Sequence, residues 1–278
     1  MSMIVKSNVH VHTSWCDGSN SPREMVEAAL IKGFSDIGFS SHAPPKIKGP
    51  GPGISDIDAY IKEISSLRDE YAGRINILCG AEQDSYALVD KNKFDYIIHS
   101  EHSFPVISGN YDSVDKNPSA AKKTFVTRFR GDGIAMAGEY FEFLLSGVKF
   151  YHPDIVGHYD LIAKFNSANN MFDRDSAEYQ NLAVTYLDEI ISTIIDYGGM
   201  IEINTSGVRY KKTGYPYAGE PFMLKRILER KARVIITGDS HSAEMIDYKF
   251  NETLELLKTF GFSSVAVLLS GRFTDVSI

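Results

Sequence analysis

The sequence predicts an α/β fold in which parallel strands alternate with helices and close, or nearly close, into a barrel. Three observations lead there. Short apolar runs alternate with amphipathic helical stretches for nearly all of the 278 residues. Seven or eight of those runs qualify as strands. The residues that carry chemistry stand at the ends of the runs, where a parallel barrel builds its sites. A doubly wound open sheet is the alternative. No linker-like stretch interrupts the pattern, so residues 1–278 read as one domain.

The elements follow in order. Asn8-Val9-His10-Val11-His12-Thr13-Ser14-Trp15-Cys16-Asp17-Gly18 starts as a strand and ends as a loop. Alternation along a strand puts His10 and His12 on one face, with Val9 and Val11 opposite. Ser21-Pro22-Arg23-Glu24 is a capping box with Pro at the first helical position, predicting a helix to Lys32 that Gly33 ends. Asp36 to Ser40 is a short buried strand, His42 follows it, and the Pro- and Gly-rich stretch Pro44 to Gly53 is a loop. Ile57, Ile61, Ile64, Leu67 and Tyr71 recur at helical spacing, so Ser55 to Tyr71 is a helix. Ile75 to Ala81 is a strand with Glu82 at its end, and Phe94 to Ser100 is another with His99 and His102 beside its end. From Ser103 to Gly133 the pattern weakens, which predicts an irregular functional loop or lid.

Ala135 to Leu145 is helical, and Asp154 to Gly157 is a brief strand ending at His158. Leu182, Tyr186, Leu187, Ile190, Ile191, Ile194 and Ile195 form a helical stripe that stops at Gly198-Gly199. Met200 to Asn204 is a strand, Pro221 to Arg230 a helix, and Arg233 to Thr237 a strand running into Gly238-Asp239-Ser240-His241. A helix from Ala243 to Phe260 and a strand from Ser263 to Leu269 complete the series.

Composition narrows the function. The chain is 43% hydrophobic and 23% charged, ordinary for a globular protein. Its net charge of -7 and the lack of a basic stripe argue against a duplex-binding protein. Two isolated cysteines, Cys16 and Cys79, exclude a disulfide framework and a Cys-rich zinc site, and point to a reducing cytoplasm. No secretory leader is visible at Met1 to Lys6, and no apolar stretch approaches a membrane span.

Six of the eight histidines (His10, His12, His42, His102, His158 and His241) fall at strand ends with three acids, Asp17, Glu82 and Asp239. A single catalytic zinc takes about three protein ligands plus water. Nine candidates therefore suit two or three ions, with Glu82 placed to bridge a pair. The mixed imidazole and carboxylate set suits Zn, Fe or Mn more than Mg or Ca. His152 reads as a surface or packing residue, Cys16 as packing, and His99 as an orienting neighbour of the ligands.

These residues carry a resemblance. His10-Val11-His12 with Asp17, His42, Glu82, the Asp95 to His102 segment, Gly157-His158 and Gly238-Asp239-Ser240-His241 look like the metal motifs of the PHP (polymerase and histidinol phosphatase) family. The length, and the stretch Ile201 to Arg209, resemble the monofunctional histidinol-phosphate phosphatases of histidine biosynthesis. The resemblance implies a distorted (β/α)₇ TIM-like barrel with a trinuclear metal centre. Carried over, it implies His10, His12, Glu82 and Asp239 at the first metal, Glu82, His102 and His158 at the second, and Asp17, His42 and His241 at the third. The chain departs from the family pattern at Asp17, where many members carry histidine, and at Ile98 to Glu101, where His99 could compete with His102 as ligand.

The resemblance also implies a reaction: a metal-bound hydroxide attacks phosphorus in L-histidinol phosphate, a small phosphomonoester. The candidate catalytic groups are His42, His241 and Asp160, the last either protonating the leaving alkoxide or orienting His158. Arg209 is the candidate phosphate fork, with Arg128, Arg130 and His99 as further substrate-binding candidates. The substrate's imidazole and ammonium call for an acidic, aromatic pocket. A PHP-type phosphodiesterase or exonuclease, or a phosphatase for another small phosphomonoester, is the alternative, and the acidic balance counts against a nucleic-acid substrate. A metal-storage or metal-sensing module is the non-enzymatic rival. Oligomeric state is not readable from the sequence.

Overall fold

The computed structural model describes residues 5–45, 52–104 and 112–278. The elements run β1 (Ser7–Asn8), α1 (Pro22–Ile31), β2 (Asp36–Phe39), α2 (Ile57–Glu70), β3 (Asn76–Gln83) and β4 (Tyr96–His99). Next come the small antiparallel pair β5 (Ser103–Phe104) and β6 (Asp112–Ser113), then α3 (Pro118–Thr127), α4 (Gly133–Tyr151) and β7 (Ile155–Val156). The chain continues through α5 (Asn166–Asn169), α6 (Ala177–Ile195), β8 (Met200–Asn204), α7 (Ser206–Tyr210), α8 (Pro221–Glu229) and β9 (Val234–Thr237). It ends with α9 (Phe250–Phe260), β10 (Ser264–Leu269) and β11 (Arg272–Ser277).

Among the described residues these strands make a nine-stranded sheet in the order β1-β2-β3-β4-β7-β8-β9-β10-β11. Every pairing is parallel except the last, the β10–β11 hairpin. The wall closes on itself. Val11 bridges Ser240 in parallel, and His12 N–H and Ser240 N–H donate to Ser240 O and His10 O at 2.9 Å each. β10 meets β9 through Ala266 and Ile235, and β1 through Ser7 Oγ, which accepts Leu268 N–H at 3.0 Å. The result is the distorted TIM-like barrel that the alternation predicts. Val9, Tyr96, Ile98, Ile155, Met200, Ile235, Ala266 and Leu268 fill its interior. A larger apolar cluster lies between sheet and helices, which is why the strands read as continuous hydrophobic runs.

Most local signals act as written. Ser21 Oγ accepts Glu24 N–H, and the Glu24 carboxylate accepts Ser21 N–H at 2.7 Å, completing the capping box. Four elements differ from expectation. The Ser103 to Gly133 segment is not irregular throughout: Asn117 caps α3, with Pro118 at its first position. The helix expected from Ala243 starts as a 3₁₀ turn, and α9 begins at Phe250 after Lys249 takes φ 59°. β11 and α7 carry too little periodicity to have been read in advance. The loop expected over Pro44 to Gly53, the segment proposed as a lid and the expected absence of a leader at Met1 to Lys6 lie partly outside the described residues. Among the described residues no helix is long and apolar enough to cross a membrane.

Candidate metal centre

Parallel strands deliver their carboxyl ends to one rim, and the nine ligand candidates meet there. Glu82, buried near the end of β3, is the hub. Its Oε1 lies 3.0 Å from His158 Nε2 and 3.7 Å from His102 Nε2. Its Oε2 lies 3.3 Å from both His10 Nε2 and His12 Nε2, and 3.1 Å from His42 Nδ1. Asp239 Oδ1 sits 3.6 Å from His10, 3.2 Å from His12 and 3.5 Å from His241 Nδ1. Asp17 lies 3.4 Å from His241 Nε2, 3.7 Å from His42 Nε2 and 3.6 Å from His12 Nδ1.

Local structure sets these positions. β1 is only two residues long, because Asn8 Oδ1 takes the His10 N–H at 3.0 Å and breaks the ladder. Val9 and Val11 consequently join different core clusters, rather than one face, yet the His10 and His12 rings converge at 5.2 Å. Asp17 reaches back because the 13–18 loop folds tightly, and a Cβ at Gly18 would stand 2.5 Å from Thr13 N. Asp239 adopts φ 48°, a conformation Asp tolerates better than most residues, and this turns it toward His12.

Two orienting carboxylates complete the arrangement. Glu202 Oε1 is 2.5 Å from His10 Nδ1, and its Oε2 accepts His158 N–H at 2.6 Å. Asp84 Oδ1 faces His102 Nδ1 at 3.0 Å and accepts His102 N–H at 2.7 Å. Carboxylates on the far nitrogen of a ligating imidazole fix its tautomer and raise its basicity. The signal for Glu202 lay in the sequence as an acid inside an apolar strand, Ile201-Glu202-Ile203. Asp84, two residues past Glu82, gave none.

The electrostatics ask for cations. Burial opposes charge on His10, but Glu202, Glu82 and Asp239 outweigh it and raise the imidazole to about 10. Burial alone would raise Glu82 and Asp239, yet the surrounding histidines hold both well below the usual carboxylate range. Burial and the neighbouring imidazoles push His42 down to about 4. His10 Nε2, His12 Nε2, Glu82 Oε2 and His158 Nδ1 are buried without a hydrogen-bond partner, an arrangement that costs free energy unless something else satisfies it. Four groupings place ligand atoms within 4.8 Å of one another: His12/Asp17/His42/His241, His10/His12/Asp239, His42/Asp84/His102 and Glu82/His102/His158. The residues fit several metal ions.

A cavity of about 500 Å³ opens over this cluster. Asp17, His42, His102, His158, Asp239 and His241 face it on the metal side. Lys164, Arg209, Tyr210, Asp115 and Tyr86 line the rest. Arg209 is thus at the mouth, on α7 rather than in a loop. The other substrate candidates lie elsewhere. His99 is fully buried against α4 with Glu101 3.2 Å away, because β4 turns it outward from the barrel. It is therefore neither a ligand nor a cavity residue. Arg128 pairs with Asp112 and Glu139 and stacks over Phe104 and Phe129. Arg130 is exposed at the turn ending α3, with φ 54°. Asp160 is fully buried, one oxygen facing Lys211 Nζ at 2.8 Å and the other accepting Ala218 N–H at 2.7 Å. Both oxygens are engaged away from the cavity, so its contacts do not suit a general acid. Sequence reasoning missed Lys164, a lysine with no motif around it.

With fold and site together, the class is defined: residues 8–206 match the PHP domain family, and the chain belongs to it. It is 29% identical over 275 residues to the histidinol-phosphatase of Bacillus subtilis, covering 90% of this chain and 98% of that one. It is 24% identical over 291 residues to a probable histidinol-phosphatase of Schizosaccharomyces pombe, covering 97% and 90% of the two chains. Its fold is similar, with a TM-score of 0.69 at 22% identity, to a histidinol phosphate phosphatase from Lactococcus lactis solved with zinc, L-histidinol and phosphate, over 96% of this chain and 98% of that one.

Proposed function

We propose that this chain is a metal-dependent phosphatase that hydrolyses L-histidinol phosphate to L-histidinol and phosphate in histidine biosynthesis. The observation that carries the reading is the meeting of six imidazoles and three carboxylates beneath one cavity. The histidinol-phosphatases that align with nearly the whole chain support the substrate.

His10, His12, Glu82 and Asp239 would hold one ion, Glu82, His102 and His158 a second, and Asp17, His42 and His241 a third. Zn, Fe or Mn suits this donor set. Bound there, such ions would acidify the attacking water and neutralise charge on the phosphoryl oxygens. Glu202 and Asp84 orient His10 and His102 so that their other nitrogens point at Glu82. His42 and His241 are the histidines of the third group that face the cavity, closest to arriving substrate. Arg209 and Lys164, which line the same cavity, take the phosphate dianion. Asp115 and Tyr86 present the acidic and aromatic surface that an imidazole and an ammonium require.

The whole chain acts as one domain in this reading, since the segments that follow β1 and β9 bridge at Val11 and Ser240. Its compartment is the cytoplasm, in keeping with two free cysteines.

The test is phosphate release from a panel of small phosphomonoesters, with metal content measured on the same sample. Histidinol phosphate should lead the panel clearly, and chelation should remove activity. Flat activity across the panel would eliminate this substrate while leaving the metal centre intact.

A further inference from the structure

Three cations line the cavity: Lys116, Lys164 in the turn after His158, which pairs with Asp115 at 3.4 Å, and Arg209 on α7; the last two come from separate segments that meet at one ring. Both approach the Tyr210 ring. Arg209 Cζ lies 4.5 Å from its ring centroid and Lys164 Nζ 4.6 Å. Behind this face lies Lys211, whose side chain is completely buried. Its Nζ donates to Asp160 Oδ2 at 2.8 Å, Pro216 O at 2.8 Å and Glu220 Oε1 at 3.1 Å. An ammonium has three N–H donors, so Lys211 is saturated. Glu220 also pairs with Arg174 and accepts from Thr213 Oγ1 at 3.1 Å, and Asp160 accepts from Ala218 N–H.

Chain position gives this buried pair its meaning. Asp160 sits between His158 and Lys164, while Lys211 directly follows Arg209 and Tyr210. The pair therefore ties the segment that follows β7 to the one that follows β8. A buried ion pair contributes little net stability compared with an apolar replacement, and a buried lysine is rare unless paired. What it does supply is fixed geometry between two segments.

We propose that the Lys211–Asp160 pair is a strut that sets the spacing of Arg209 and Lys164 at the cavity, making Lys211 a positioning residue for binding of the phosphate dianion. This rests on the reading that Arg209 and Lys164 meet phosphate. The strut acts on affinity and leaves the metal ligands where they are.

The test titrates inorganic phosphate into the metal-loaded protein by calorimetry, beside steady-state kinetics, for wild type and Lys211→Met. Phosphate Kd and KM should rise together by roughly tenfold, the size expected when binding groups lose preorganisation, with kcat within about threefold and metal content unchanged. In an Arg209→Gln background the same substitution should weaken phosphate by less than about twofold, since coupled residues are not additive. Unchanged phosphate affinity in Lys211→Met, or an undiminished effect in the Arg209→Gln background, overturns the strut. If Lys211→Met does not fold, Glu220→Gln loosens one of the three anchors and should weaken phosphate by about twofold to threefold. No change there would equally overturn it. Phosphate binding is read without turnover, so a wild type that binds phosphate but spares histidinol phosphate refutes the substrate assignment while still testing the strut.

Discussion

Glu82 and Glu202 are both buried carboxylates at one rim, yet they face the histidines differently. Glu82 points Oε2 at two imidazole nitrogens that have no hydrogen-bond partner, His10 Nε2 and His12 Nε2, while its Oε1 meets His158 Nε2 at 3.0 Å. Glu202 meets the opposite nitrogen of His10 and also accepts from Thr237 Oγ1 at 2.6 Å. Removing each should therefore have a different size of effect. Glu202→Gln should lower metal affinity by roughly 10- to 100-fold, as measured by competition with a chromogenic chelator, and leave the fold intact. Glu82→Gln should cost more than that, with the metal-to-protein ratio itself falling after dialysis, because it removes a donor shared between groups. At this scale the sequence was readable for the ligands, whose residue types declare their chemistry. It was silent on Asp84, and it misplaced His99, because neither orientation nor partner is written in residue type.

At the scale of the element, local signals and packing constraints separate cleanly. The α1 capping box is purely local, so Ser21→Ala should cost about 1 kcal/mol. A thermal melt should register that as a fall of roughly 2–4 °C. Gly147, in the C-terminal third of α4, answers to packing: a Cβ there would come 2.0 Å from His99 Nε2. Gly147→Ala should raise helix propensity yet destabilise the protein by about 1–3 kcal/mol through overpacking against the buried His99. A melt showing stabilisation would mean that α4 can shift away from β4. The same contrast explains the elements read less well. α3 follows its own cap at Asn117, but it sits in a stretch too weakly periodic to advertise a helix. α7 is five residues long, and its bounds are set by what surrounds it, including the Asn204–Tyr217 bridge.

For the whole molecule, the centre draws on residues from His10 to His241, so the ions and the barrel should stabilise each other. Ligands that bind only the folded state stabilise it by mass action, about 2.7 kcal/mol at a free concentration 100 times Kd. Chelation should therefore lower the melting temperature, and re-addition of zinc or manganese should restore both the melt and the activity. A melt insensitive to chelator would mean that the cluster is held by the barrel alone.

By itself the sequence determined the class of fold, the order of the strands and helices it could read, and the ligand types gathered at their ends. Those depend on periodicity, capping and side-chain chemistry, which are properties of short segments. Only the tertiary structure decided which acids orient which imidazoles, that Asp160 is bound to Lys211 rather than poised over the cavity, and that Lys164 and Arg209 both meet the Tyr210 ring. Those contacts join residues up to 192 positions apart. They follow from how parallel strands bring separate loops to one rim, information that no single stretch of chain contains.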